Sequence, residues 1–437
     1  MTPPGEPVTP LTKKARWGDW IPKLLLFVVS LVIFMEAGAR LFFSLRGLRL
    51  LGDNDSSHRL YWIALQRFRP WIELYDVYHP TRGWALKPDI KEMNVFGKIV
   101  SSNSKGLRGK GERGYLRTAG RQRIVVLGDS FTFGEAVSDD ETYSHQLESV
   151  LPNTEVLNLG VHGYGHDQML LYLKEEGVKY HPDVVLLGFV YIDIYRNLLT
   201  FYAYAKPRFR LVSGGLQLTN VPVPAPGRVR AQEPYRSKAL DVMVILRESL
   251  RWRLGKREKE ARDLTRLLLD EIIVTTRSIG AVPVFVYLPT REEIDNSSDS
   301  LTGREQFLDD YCRERGIPCL FLRLRFHEEI KRGVQWGGRY HWPAKLHQVA
   351  AEAIKDFLLG SNLIQNGSAS GVGSKTPARV ELRQTGCGQE TSKDLRTSVS
   401  GCDGHLSGAG GLFGTVPAAR AQRDSATSLR AVSHRLR

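Results

Sequence analysis

The chain has 437 residues, 42% hydrophobic and 25% charged, an ordinary globular composition with length for one large domain plus extensions. Its 61 Lys and Arg against 47 Asp and Glu leave a net charge of +14, and ten basic and five acidic residues of that balance fall after Gly360. No basic stripe interleaved with aromatics accompanies the surplus, which argues against a nucleic-acid partner and leaves a mild attraction to anionic membrane or cell-wall polymers.

Leu24 to Leu45 is an apolar run of about the length that crosses hydrocarbon, roughly 20 residues. Trp17 and Trp20 stand ahead of it as interface anchors, and Glu36 and Arg40 interrupt it at a spacing that pairs them on one helix face. The run is too long for a signal-peptide core and no small-residue cleavage site follows, so a single-pass anchor is expected rather than a cleaved leader. Lys13, Lys14, Arg16 and Lys23 precede it while Arg46, Arg49 and Arg59 follow, a bias for an inside N-terminus and an extracytoplasmic remainder. The organisation expected is a cytoplasmic segment at 1–20, a transmembrane helix at 21–45, linker and accessory strands at 46–120, an α/β domain at 121–360 interrupted by an insertion at 200–235, and a disordered tail at 361–437.

Within 46–120, His79–Trp84 and Asn103–Gly109 read as turns between short strands. From Arg123 the pattern alternates. Ile124–Leu127 is an apolar strand, Glu141–Leu151 an amphipathic helix, Thr154–Leu159 a strand, Asp167–Tyr180 a helix and Asp183–Tyr191 a fully apolar strand. Such alternation predicts a parallel sheet covered on both faces. Pro-rich 221–226 breaks the rhythm; Asp263–Ser278 then predicts a core-facing helix, Val282–Leu288 a strand, Phe307–Arg315 a helix, Ile317–Leu324 a strand and Trp342–Leu359 a closing helix. The stretch after Gly360 is Gly/Ser/Arg-rich and aperiodic, with one aromatic residue. Cys312 with Cys319, or Cys387 with Cys402, could bridge, but no spacing requires it, and no metal pattern or cofactor motif is present.

The stretch around which the domain is organised is Leu127-Gly128-Asp129-Ser130-Phe131-Thr132-Phe133-Gly134. A serine at the carboxyl end of a parallel strand sits where open α/β sheets bind ligands, close to backbone N–H groups that can hold an oxyanion. Ser130 is therefore a candidate nucleophile; the competing reading is that Asp129 and Ser130 only shape the strand-to-helix turn.

This stretch, together with Asn158–Gly165, Asn103–Gly109 and His341-Trp342-Pro343-Ala344-Lys345-Leu346-His347, resembles the motifs of the SGNH, or GDSL-type, hydrolase superfamily over about residues 78–358. The resemblance implies a three-layer α/β/α flavodoxin-like fold and an ester hydrolase or acyl (acetyl) transferase. Ser130 would be the nucleophile and His341 the general base, with the backbone N–H groups of Ser130 and Gly163 at the oxyanion. His347 has a competing claim, but in the family pattern it belongs to the start of the closing helix. With the anchor, the resemblance implies an O-acylated carbohydrate or small ester as substrate, outside the cytoplasm.

Two positions depart from the pattern. Arg339 and Gly338 stand where the family carries the acid that orients the histidine, and Ile192 stands where an asparagine side chain donates to the oxyanion. Asn197 is a candidate replacement donor, Glu328 or Glu329 a candidate partner for His341, and Asp129, His162 and Asp193 further candidates for the cleft, Asp193 as a cap or ion-pair partner. The departures support an alternative, a binding or scaffolding protein on a catalytically impaired hydrolase fold.

Overall fold

The computed structural model describes residues 20–45, 50–66, 75–95, 97–213, 215–336 and 340–365. The orientation-setting charges at 13, 14, 16, 46 and 49, the pair Gly338 and Arg339, Cys387 and Cys402, and the tail beyond 365 lie outside them. The chain divides into two compact units, and every described residue belongs to the larger.

Two short antiparallel hairpins come first, β1 (Asp76–His79) with β2 (Gly83–Leu86), and β3 (Met93–Val95) with β4 (Lys98–Val100). The main sheet begins with the apolar runs β5 (Gln122–Gly128), β6 (Thr154–Gly160) and β7 (Val184–Phe189). A hairpin of β8 (Arg208–Val212) and β9 (Gly215–Thr219) occupies the expected insertion, after which β10 (Val282–Tyr287) and β11 (Cys319–Phe321) complete the sheet. All five main strands run parallel in the order β11-β10-β7-β5-β6.

Alternate residues of these strands feed two separate cores, as a sheet covered on both sides requires. Val125, Leu127, Val185, Leu187, Phe285 and Tyr287 join helices His166–Glu175, Lys256–Ser278 and Gly303–Arg315 on one face. Ile124, Val126, Leu186, Val284 and Val286 join helices Tyr143–Val150, Arg323–Lys331 and Ala344–Gly360 on the other. The result is the three-layer α/β/α fold, with the strand order of a flavodoxin-like sheet.

Several elements differ from their sequence expectation. The strand expected over 317–324 stops at Phe321, and Arg323–Lys331 is a helix instead. Leu322, Phe326 and Ile330 recur every four residues, a helical period hidden behind the apolar run before it. The helix expected to begin at Asp263 begins at Lys256, because its first two turns are mostly charged and carry little apolar signal. Within the proline-rich insertion, Pro226 sits in the first turn of a short helix, Pro226–Gln232, where its missing N–H costs nothing.

Trp20–Leu45 is a single helix of 26 residues, by length and composition long and apolar enough to cross a membrane, and 6% of its most apolar window is buried. Glu36 and Arg40 pair across one turn at 2.8 Å.

Candidate active site

The parallel register sets Gly128 beside Gly160, so the turns that follow β5 and β6 lie next to each other at the carboxyl edge of the sheet. Asp129 caps a one-turn helix, Ser130–Phe133, its Oδ1 accepting from the Phe131 nitrogen at 3.0 Å. That turn sits directly on the strand ends because both flanking residues lack a Cβ. A Cβ on Gly128 would lie 2.0 Å from Thr132 Oγ1, and one on Gly160 would lie 2.3 Å from the Phe133 nitrogen. Gly134 closes the turn at φ +82°, and the nitrogens of Gly134 and Glu135 both donate to the Ser130 carbonyl.

Ser130 keeps 5% of its surface accessible, and its Oγ lies 2.9 Å from His341 Nε2, a hydrogen bond across 211 positions. His341 is held by its neighbour. The Trp342 indole is fully buried, donates from Nε1 to the Pro289 carbonyl at 2.9 Å, and meets Phe131 and Phe326 edge-on. The loop that carries the imidazole is thereby pinned to both the Ser130–Phe133 turn and the helix Arg323–Lys331, and the ring itself rests 5.1 Å from Phe131.

The carboxylate found on this ring among the described residues is Glu135, whose Oε2 is 3.6 Å from His341 Nε2. It is half-exposed and approaches the same nitrogen that faces Ser130, whereas a triad acid bonds the other nitrogen. An exposed pair of this kind is worth roughly 0.2–1 kcal/mol. Glu135→Gln is therefore expected to lower kcat/KM for an acetyl ester two- to fivefold, against about 10⁴ for loss of a true triad acid. Glu328 and Glu329, the partners considered from sequence, are paired instead with Lys331 and Arg332 at the end of their own helix. Sequence reasoning missed Glu135 although its position, immediately after the glycine that ends the nucleophile turn, was readable.

His347 does a different job. It is buried on the Ala344–Gly360 helix, and its Nδ1 accepts from the Tyr143 nitrogen at 3.2 Å. Burial, with His341 nearby, pushes its pKa down to about 3, so the folded protein holds it neutral. In the unfolded chain such a group takes a proton near pH 6.5, so stability is complete above that pH and is lost as pH falls from about 6.5 towards 3. The loss is about 1.4 kcal/mol per pH unit for one group. His347→Gln, which can keep the acceptor without the titration, is expected to flatten the acid side of a plot of unfolding temperature against pH.

Behind Ser130 lies a charged knot. Arg196 Nη1 donates to Asp129 Oδ2 at 3.1 Å and to the Tyr164 carbonyl at 3.0 Å, forms an ion pair with Asp193 Oδ1 at 2.6 Å, and its guanidinium lies over the Tyr202 ring. Both carboxylates are fully buried, and burial drives the Asp193 carboxyl well above the usual range. Asp193 thus pairs with the cation that steadies Asp129, and Asp129 both caps the helix Ser130–Phe133 and stands 3.4 Å from Ser130 Oγ.

The turn after β6 is tight, with the Tyr164 nitrogen donating to the Val161 carbonyl and Gly163 at φ +71°. It is braced from a region expected to be accessory. Trp84 Nε1 donates to the His162 carbonyl at 3.0 Å, and Asp76 Oδ2 lies 2.8 Å from His162 Nε2. Burial alone would lower the His162 pKa, but the Asp76 carboxylate outweighs it and the net direction is up. His162 therefore props the turn from behind, against Tyr75 and Phe133.

Asn197 does not join Ser130 and His341. Its amide nitrogen faces His166 Nδ1 at 3.2 Å and Thr265 Oγ1 at 2.8 Å, and its carbonyl oxygen accepts from the Asp167 nitrogen, all fully buried. That amide is spent on tying the helices His166–Glu175 and Lys256–Ser278 together. Ile192 packs into the apolar core that holds Trp342 and offers no donor.

No family model matches this chain, and no curated protein does either. Solved structures do show similarity. One is a two-domain esterase active on acetylated mannans, at 11% identity and TM-score 0.34, covering 58% of this chain and 53% of that one. A catalytic mutant of an acetylxylan esterase from Geobacillus stearothermophilus aligns at 14% identity and TM-score 0.33, over 56% of this chain and 96% of that one. A putative lipolytic protein of the G-D-S-L family from Desulfitobacterium hafniense aligns at 12% identity and TM-score 0.31, over 55% of this chain and all of that one. This chain spans about half the length of the two-domain esterase.

Proposed function

We propose that this chain is a GDSL-type ester hydrolase or acyl transferase of the SGNH superfamily, tethered to a membrane by Trp20–Leu45. The observation that carries the reading is the 2.9 Å contact between Ser130 Oγ and His341 Nε2. A hydroxyl is a poor nucleophile at its own pKa, and an imidazole within hydrogen-bond reach removes that obstacle.

The chemistry runs in two halves. Ser130 Oγ attacks the ester carbonyl carbon while its proton passes to His341 Nε2. The carbonyl oxygen becomes an oxyanion, for which the N–H groups of Ser130 and Gly163 are the proposed donors. The imidazolium, with the Glu135 carboxylate 3.6 Å away, returns the proton to the departing alcohol and leaves an acyl-serine. Water, or a sugar hydroxyl in a transferase, then attacks that acyl group by the reverse route. The substrate proposed is an O-acetylated carbohydrate met outside the cytoplasm, which follows from the motif resemblance and the apolar N-terminal helix together.

A second reading has an observation of its own. Ile192 supplies no amide at the position where the family places one, and the Asn197 amide is committed elsewhere. This favours a carbohydrate-binding protein on a hydrolase fold. Acetylated xylan and a fluorophosphonate probe separate the two readings when applied to the full chain in detergent. Acetate release together with labelling at Ser130 supports the enzyme; binding of the polymer with neither release nor labelling would replace it by the second reading.

A further inference from the structure

The helix Lys238–Arg253 turns an unusual face to solvent. Leu240, Met243, Leu246, Leu250 and the following Leu254 are between 48% and 63% exposed. At 3.6 residues per turn these five fall within a sector of roughly 120°. The opposite side carries Asp241 and Ile245 into the protein. Five large apolar side chains in one continuous stripe exceed the scattered apolar residues normal on a soluble surface. Arg247 lies within the stripe, and Arg253 and Lys256 flank it; all three are exposed.

The stripe is also tied to the apolar N-terminal helix. Glu36 accepts from Ser237 Oγ at 2.7 Å and from the nitrogens of Lys238 and Ala239 at 3.0 and 3.1 Å, capping the first turn of Lys238–Arg253 with a carboxylate. Arg40, paired to Glu36, donates to the Arg236 carbonyl at 3.2 Å. Glu36 is 16 residues beyond Trp20, or about 24 Å along a helix. With Trp20 at one interface of a hydrocarbon layer about 30 Å thick, Glu36 approaches the other. The two residues that interrupt the apolar run are therefore the ones that bolt it to the amphipathic helix.

We propose that Lys238–Arg253 lies on the bilayer surface, with its leucine stripe at the boundary between headgroups and acyl chains and Arg247, Arg253 and Lys256 on anionic lipid headgroups. This inference rests on the reading of Trp20–Leu45 as a membrane span. An apolar stripe beside cationic side chains is the chemistry of an interfacial helix. A second attachment holds the α/β domain against the membrane instead of leaving it free on a stalk.

The test uses the full chain in vesicles of phosphatidylcholine and phosphatidylglycerol containing a lipid-confined diazirine, with adducts mapped by mass spectrometry. Labelling of both 20–45 and 240–254, with none around the 90% exposed Leu116, is the expected result. Labelling of 20–45 alone overturns the interfacial helix while leaving the span. Labelling of neither segment overturns the span, and the inference with it. Reversing Arg247 and Arg253 to glutamate is expected to cut labelling of 240–254 about thirtyfold without changing 20–45. Unchanged labelling in that variant, or equal labelling of wild type in pure phosphatidylcholine, overturns the role given to anionic headgroups.

Discussion

Ser130→Ala is expected to lower turnover of an activated acetyl ester by three orders of magnitude or more, measured as initial rates on the full chain in detergent. In the proposed mechanism the hydroxyl forms the covalent bond, and removing it leaves only what binding and oxyanion donors contribute. His341→Ala is expected to cost nearly as much, and the double variant little beyond either single one. Residues that act as a unit do not add. Equal rates for wild type and Ser130→Ala would defeat the hydrolase reading. Rates that fall for Ser130→Ala but not for His341→Ala would instead move the base elsewhere, with Glu135 the group next in reach.

Arg196→Met is expected to destabilise the domain by about 3–5 kcal/mol, the usual result of removing one partner from a buried charge cluster. Asp129 and Asp193 would be left fully buried without the guanidinium that pairs with both. For a domain of this size the loss corresponds to a drop in unfolding temperature on the order of 10 °C, readable by thermal denaturation. Arg196→Lys keeps the charge but gives up the planar guanidinium that lies over the Tyr202 ring, so an intermediate loss is expected. Activity falls in parallel, since Asp129 caps the turn that presents Ser130. An Arg196→Met protein that unfolds at the wild-type temperature would show that the knot contributes nothing net.

Much of the fold was legible because its signals are local. Uninterrupted apolar runs such as Val184–Phe189 belong to strands covered on both sides, and the helices between them show their period openly. Arg323–Lys331 was not legible, since four apolar residues in a row immediately before it satisfied a strand pattern equally well. The candidate site divides the same way. Ser130, His341 and Gly163 stood out through motifs, whereas Glu135, Arg196, Asp76 and Trp84 acquire their parts only by contact with residues far along the chain. Asn197 illustrates the converse. Its residue type suited an oxyanion donor, but its neighbours His166 and Thr265 claim the amide first.

By itself the sequence determined the alternation of strands and helices, the apolar helix at the start, and the order of the motif residues, because each follows from periodicity and spacing over a few turns of chain. Tertiary structure alone decided which carboxylate meets which cation, that His347 is a neutral buried strut while His341 faces the serine, and that Glu36 caps a helix 200 positions away. Hydrogen bonds and ion pairs act over about 3 Å. Whether two such groups come that close depends on how the layers pack, which no local stretch of residues specifies.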